Sequence, residues 1–147
     1  MPDSMFIGEY SHSMDTKGRL AIPAKFRDEL EQGAVVTKGI DNCLTLYPAQ
    51  EWEKIADKIS QLPVSQSNTR AFSRHMLAGA MDVLLDGQGR IIIPDYLRKY
   101  AGIEKKAVIT GLYNRLEIWD EDQWQAYKAQ TEYESENIAE TLADLNV

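Results

Sequence analysis

Two arginines sit at matched positions, and the residues around them point to one kind of chemistry. Arg19 closes the run Asp15-Thr16-Lys17-Gly18-Arg19, and Arg90 closes Asp86-Gly87-Gln88-Gly89-Arg90. In each run an aspartate is followed three residues later by glycine. That is turn chemistry: the carboxylate bonds nearby backbone and the glycine tolerates positive φ. An arginine just past such a turn is held on a rigid support and points outward. Its planar guanidinium matches the O6 and N7 acceptors of guanine, a paired contact that discriminates bases by roughly 1–3 kcal/mol. Lys17 suits a phosphate, as a mobile point charge. Residues 15–27 hold four bases, Lys17, Arg19, Lys25 and Arg27, against one acid. The candidate nucleic-acid contacts are therefore Arg19, Lys17, Arg90, Lys25 and Arg27. The competing reading of each turn arginine is a structural ion pair to its own aspartate, Asp15 or Asp86. The second turn has Gly87-Gln88 where the first has Thr16-Lys17, so it is the less basic of the two.

Catalytic and cofactor chemistry finds little support. The two histidines are His12, on a strand-like run, and His75, on an apolar helix face. Cys43 has no histidine near it in sequence, and a cysteine at a turn–strand junction more often packs than reacts. Asp86-Gly87-Gln88-Gly89-Arg90 is a turn and lacks the spacing of a phosphate-cradling loop. No His-x-Glu or Cys-x-x-Cys metal spacing occurs. The carboxylates of Asp120, Glu121 and Asp122 open a helix and point different ways. The reading is a non-enzyme without cofactor or metal.

The elements that must position the arginines come twice. Residues 15–27 and 86–98 align at an offset of 71 with six identities: Asp, Gly, Arg, Ile, Pro and Arg. Gly8 matches Gly79 at the same offset. Asn42, Leu44 and Trp52 match Asn114, Leu116 and Trp124 at 72. Such a repeat means two copies of one supersecondary unit, packed face to face over a shared core. Each copy reads as strand, tight turn, strand and short helix. Pro23 and Pro94 end the return strand and suit a first helical turn, which predicts helices over 24–30 and 95–100. Gly33 and Gly102 stand where these helices stop. Further strands are expected over 35–37, 44–47, 107–110 and 115–119. Trp52, Ile55, Ala56, Ile59 and Leu62 give an apolar face at helical spacing after Pro48. A connecting helix over 68–77 has its cap in Ser65-Gln66-Ser67-Asn68. A helix opens at Asp120, and Ile138, Leu142 and Leu145 form a terminal apolar stripe. The units are a first at 5–62, a connecting helix at 63–76, a second at 77–133 and an acidic C-terminal helix at 134–147.

Composition sets the class. Hydrophobic residues make up 44% and charged residues 27%, ordinary for a globular protein. The single cysteine forms no internal disulfide and fits a reducing cytosol. No run of about 18 apolar residues suggests a membrane span. Met1-Pro2-Asp3-Ser4-Met5 lacks the basic and apolar regions of a signal peptide. The net charge of −7 argues at first against a nucleic-acid partner. However, residues 117–147 carry nine acids and one base, which leaves residues 1–116 at +1. The local field steers a charged partner more than the total does.

On these motifs the sequence resembles the MraZ family of bacterial transcriptional regulators. Both Asp-x-x-Gly-Arg turns lead into a strand ending Ile-Pro, and Met5-Phe6-Ile7-Gly8-Glu9-Tyr10 and Asn114-Arg115-Leu116-Glu117-Ile118-Trp119 add to the match. The resemblance runs from Met5 to the acidic tail, with the first four residues outside it. It implies an α+β, mainly β fold: a duplicated swapped-hairpin (double-split) β-barrel of AbrB-like units with short helices, in which the two units of one chain interlock. It implies a DNA-binding regulator of the division and cell-wall gene cluster that recognises G-rich direct repeats in a promoter. It further implies ring-like homo-oligomers, a cytoplasmic, nucleoid-associated location and no membrane partner. The alternative is an AbrB-like, antitoxin-like protein–protein assembly module without direct DNA readout. Trp52, Trp124, Tyr127 and the terminal stripe would supply its apolar surface.

Overall fold

The computed structural model describes residues 5–146; the first four residues and Val147 lie outside it. Strand β1 (Phe6–Ser13) runs into the first turn and β2 (Arg19–Ala21). A 3-10 turn (Ala24–Phe26) and helix α1 (Arg27–Leu30) follow Pro23. Then come β3 (Ala34–Lys38), β4 (Leu44–Pro48) and α2 (Ala49–Ser60). Helix α3 (Ser67–Ser73) continues into a π turn (Arg74–Ala78). The second copy repeats the order: β5 (Met81–Val83), β6 (Arg90–Ile92), α4 (Asp95–Ala101), β7 (Lys106–Tyr113), β8 (Leu116–Asp120) and α5 (Glu121–Tyr133). Helix α6 (Ser135–Ala143) is the last element among the described residues.

The two copies share their sheets. The strands form a six-stranded antiparallel sheet, β1-β7-β8-β4-β3-β5, and a two-stranded ribbon, β2-β6. The first strand of each copy pairs with the third strand of the other: β1 with β7, and β5 with β3. The equivalent strands β4 and β8 pair with each other, as do β2 and β6. The arrangement is a pseudo-twofold exchange: β3–β4 and β7–β8 pair within a copy, while β1, β2, β5 and β6 take their ladder partners from the other copy. The core shows the same symmetry. Leu20 and Ile91, Ile22 and Ile93, Phe26 and Leu97, and Leu44 and Leu116 occupy matched positions and are all buried. Burying each such side chain contributes about 1.5–3 kcal/mol.

Three expectations change. The strand, turn and strand pattern predicts that each turn joins its own two strands into a hairpin. Instead, the first copy keeps a single bridge, Met14 to Leu20, and β2 then pairs with β6. The backbone bonds that close the turns, Asp15 N to Arg19 O at 3.1 Å and Asp86 N to Arg90 O at 2.8 Å, use up the local ladder. The resemblance also implied a barrel. Among the described residues the ladders do not close one, because β5 stops at Val83 and leaves Leu84 74% exposed. Finally, no side chain in 65–68 caps α3, whose N-cap is Gln66. The Thr69 hydroxyl donates to the Gln66 carbonyl at 2.9 Å, and Arg70 Nη1 donates to the Val64 carbonyl at 2.9 Å.

The helices cover the sheet as their patterns suggest. Trp52 and Ile55 of α2, with Leu62 just past its end, pack against the buried cluster of Ile59, Tyr47 and Met76. Trp119 packs against Trp124 and Tyr127 at centroid distances of 5.3 and 4.9 Å. Trp52, Trp124 and Tyr127 therefore serve the chain's own packing. Asp120 caps α5, its carboxylate accepting from Gln123 N at 3.2 Å.

Gly111 faces Gly8 across the β1–β7 pair, and a Cβ there would come within 2.5 Å of the Phe6 carbonyl carbon. Gly111→Ala is expected to cost about 2 kcal/mol or more, since main chain has to move. Gly87, with open space around it, should accept alanine with little change. Urea unfolding midpoints at constant slope check both.

Candidate nucleic-acid interface

Each site is built by one carboxylate. Asp15 Oδ1 accepts the backbone N–H groups of Lys17 at 3.0 Å and Arg19 at 2.8 Å, while Oδ2 accepts Arg19 Nε at 2.5 Å. Asp86 repeats this: Oδ1 takes Gln88 N at 2.8 Å and Arg90 N at 2.9 Å, and Oδ2 takes Arg90 Nε at 2.9 Å. The glycines complete the turns. Gly18 N donates to Asp15 O and Gly89 N to Asp86 O, both at 3.0 Å. Their φ values of +85° and +74° are ones a side chain would strain.

The competing ion-pair reading and the outward reading therefore hold together. Each guanidinium gives its Nε to the turn aspartate, and among the described residues the Nη groups of Arg19 and Arg90 have no partner within hydrogen-bond distance. The Arg19 side chain stays 35% exposed and that of Arg90 29%. Exposed pairs of this kind add little stability; here the pair fixes direction.

The register brings the two arginines together. In the ribbon Arg19 pairs with Ile92, Leu20 with Ile91, and Ala21 with Arg90. Leu20 and Ile91 point into the core, so by strand alternation Arg19, Arg90, Ala21 and Ile92 share the outer face. The two arginines are diagonal neighbours, about 7–8 Å apart at the backbone.

Each turn is braced by the other copy. Ile22 N donates to Gly89 O at 2.9 Å, and Ile93 N to Gly18 O at 2.8 Å. Arg27, proposed from sequence as a contact, gives Nε to Ile22 O at 2.8 Å, and its guanidinium lies where a Cβ on Gly89 would be. Arg98 mirrors it over the first turn: a Cβ on Gly18 would lie 2.9 Å from Arg98 Nε. Its Nη1 reaches Thr16 O at 3.5 Å. Arg98 was absent from the candidates, although the repeat aligns it with Arg27 and would have named it. Lys25 is tied to β1, with Nζ donating to the Tyr10 hydroxyl at 2.7 Å and lying 5.2 Å from its ring centroid. Lys17 stays exposed on the turn.

Two of the groups considered for catalysis, Cys43 and His75, are otherwise engaged. Cys43 is buried and donates to Ile40 O at 3.1 Å. Burial pushes its thiol well above the usual range. His75 Nε2 lies 3.1 Å from Gly39 O.

The turn carboxylates make the two turns acid-sensitive. Backbone donation from Arg19 holds Asp15 below the ordinary aspartate value of 3.8, and Arg90 does the same for Asp86. For a depressed carboxyl, the stabilisation is complete above the ordinary value and is lost as pH falls through the folded one. The turns should therefore hold at neutral pH and loosen only below about pH 3.8. Asp15→Asn with Asp86→Asn should flatten the acid limb of the stability–pH curve. Equal acid limbs for the two proteins would contradict this role.

Comparison with known proteins agrees with the repeat. The family profile described as "MraZ protein, putative antitoxin-like" matches twice, over residues 5–75 and 76–146. Transcriptional regulator MraZ of Natranaerobius thermophilus is 49% identical over 143 residues, covering 97% of this chain and 100% of the relative. The protein of the same name from Pelotomaculum thermopropionicum is 50% identical, covering 97% and 99%. That of Pediococcus pentosaceus is 48% identical, covering 97% and 100%. With a turn of the same construction in each matched half, the chain belongs to the MraZ family.

Proposed function

We propose that this chain is a DNA-binding transcriptional regulator whose β2–β6 ribbon enters the major groove, where Arg19 and Arg90 bind guanines. The observation that carries the reading is the outer ribbon face, on which a carboxylate aims each arginine and leaves its Nη groups available. The major groove is about 12 Å wide and admits a two-stranded ribbon. The diagonal spacing of the arginines spans roughly two base-pair steps of about 3.4 Å. The relatives' name, transcriptional regulator, supports the same assignment.

Lys17 contacts phosphate beside the first turn. Arg27 and Lys25, which hold protein groups in the free chain, support the interface from its rim. The targets are G-rich direct repeats in the promoter of the division and cell-wall gene cluster, which places the protein on the nucleoid. Several chains bind successive repeats as a ring-like homo-oligomer. The exposed apolar stripe of Ile138, Leu142 and Leu145 on and beyond α6 supports self-association, and a light-scattering mass of one chain would remove that part. No helix among the described residues is long and apolar enough to cross a membrane.

Arg19→Ala should weaken binding of a promoter fragment about tenfold or more, with thermal unfolding nearly unchanged. Lys17→Ala should weaken cognate and scrambled fragments alike and reduce the slope of log affinity against log salt by about one. Gel-shift titrations at several salt concentrations test both. Affinity indifferent to Arg19 and to salt would favour a protein–protein module.

A further inference from the structure

The ribbon face carries one residue that guanine binding does not use. Ile92 is 59% exposed, although Ile91 and Ile93 on either side are buried. It has no part in the core, and it pairs directly across the ribbon with Arg19. Opposite Arg90, the matched position is Ala21. An apolar head therefore stands beside one arginine of a cationic face and is missing beside the other.

The major groove offers one apolar feature, the 5-methyl group of thymine. Side chains paired across an antiparallel ribbon have Cβ atoms about 4.5–5.5 Å apart. That spacing sets the ends of Arg19 and Ile92 over neighbouring base pairs. We infer that Ile92 packs on the thymine methyl of the base pair next to the guanine bound by Arg19. Ala21 is too short to do the same beside Arg90. The two ends of the pseudo-twofold ribbon thus read different things: guanine with an adjacent thymine at the Arg19 end, guanine alone at the Arg90 end. This inference rests on the groove contact proposed above.

The test is the full chain titrated by fluorescence anisotropy against the same promoter fragment amplified with dTTP or with dUTP. The dUTP product keeps every base-pair hydrogen bond and loses every 5-methyl group. The natural chain should bind it about fourfold more weakly, the worth of burying one methyl-sized group at each engaged site. Ile92→Ala should weaken binding to thymine DNA by the same factor and lose the preference for it. Because Ile92 is exposed, its thermal midpoint should not move. Ala21→Ile should increase the preference for thymine. Equal binding of both fragments by the natural chain would overturn the inference, and so would a full thymine preference in Ile92→Ala. Arg19→Ala run in parallel separates the two layers. If it binds as the natural chain does, the groove contact itself is wrong. If it binds weakly while the natural chain ignores the methyl groups, only the role of Ile92 falls.

Discussion

One carboxylate per repeat sets the rest of the structure. Asp15 and Asp86 each accept two backbone N–H groups and one guanidinium Nε. The backbone bonds close a turn that glycine alone would leave loose, and the guanidinium bond chooses a direction for the arginine. A carboxylate has acceptor sites for all three. An asparagine could keep the backbone bonds but would lose the ionic part of the arginine contact. The same three bonds appear in both copies despite different residues between aspartate and glycine, so the construction depends on the aspartate, glycine and arginine positions alone.

The second constraint is the exchange between copies. The strand after each turn pairs with its counterpart, and each turn glycine carbonyl accepts from the other copy's strand. Arg27 and Arg98 cross the same boundary to cover the opposite turn. Arg19 and Arg90 therefore sit on one small ribbon rather than on two independently placed hairpins. Their separation is fixed by strand geometry, and backbone bonds hold it with little dependence on surface charge. Rigid placement of this kind lowers the ordering cost of binding, because few rotamers remain to be lost.

Much of this was legible in the sequence. The repeat offset located both turns, the prolines placed the short helices, and Gly102 does stop α4 in a left-handed conformation at φ +67°. The aspartate–glycine spacing predicted the turn, and the ion pairs to Asp15 and Asp86 that it also allowed are present. What stayed hidden was pairing between copies. Local patterns show that residues 19–21 and 90–92 are strands but not which strand lies beside each, since partner choice depends on long-range contacts. Local patterns therefore put Arg19 and Arg90 on separate hairpins and leave Arg27 an outward charge, whereas the repeat alone pairs Arg98 with Arg27. The acidic stretch after residue 117 was visible from charge alone, while the covering role of Trp124 and Tyr127 over Trp119 needed the folded sheet.

The central claim is that a guanidinium aimed by its turn aspartate bonds the major-groove edge of guanine. Replacing guanine by 7-deazaguanine in the promoter repeats removes the N7 acceptor and leaves Watson–Crick pairing and the phosphate charge intact. The expected result is a marked loss of affinity for the natural chain and little further loss for Arg19→Ala combined with Arg90→Ala. Undiminished binding of the natural chain to the substituted duplex would contradict the account.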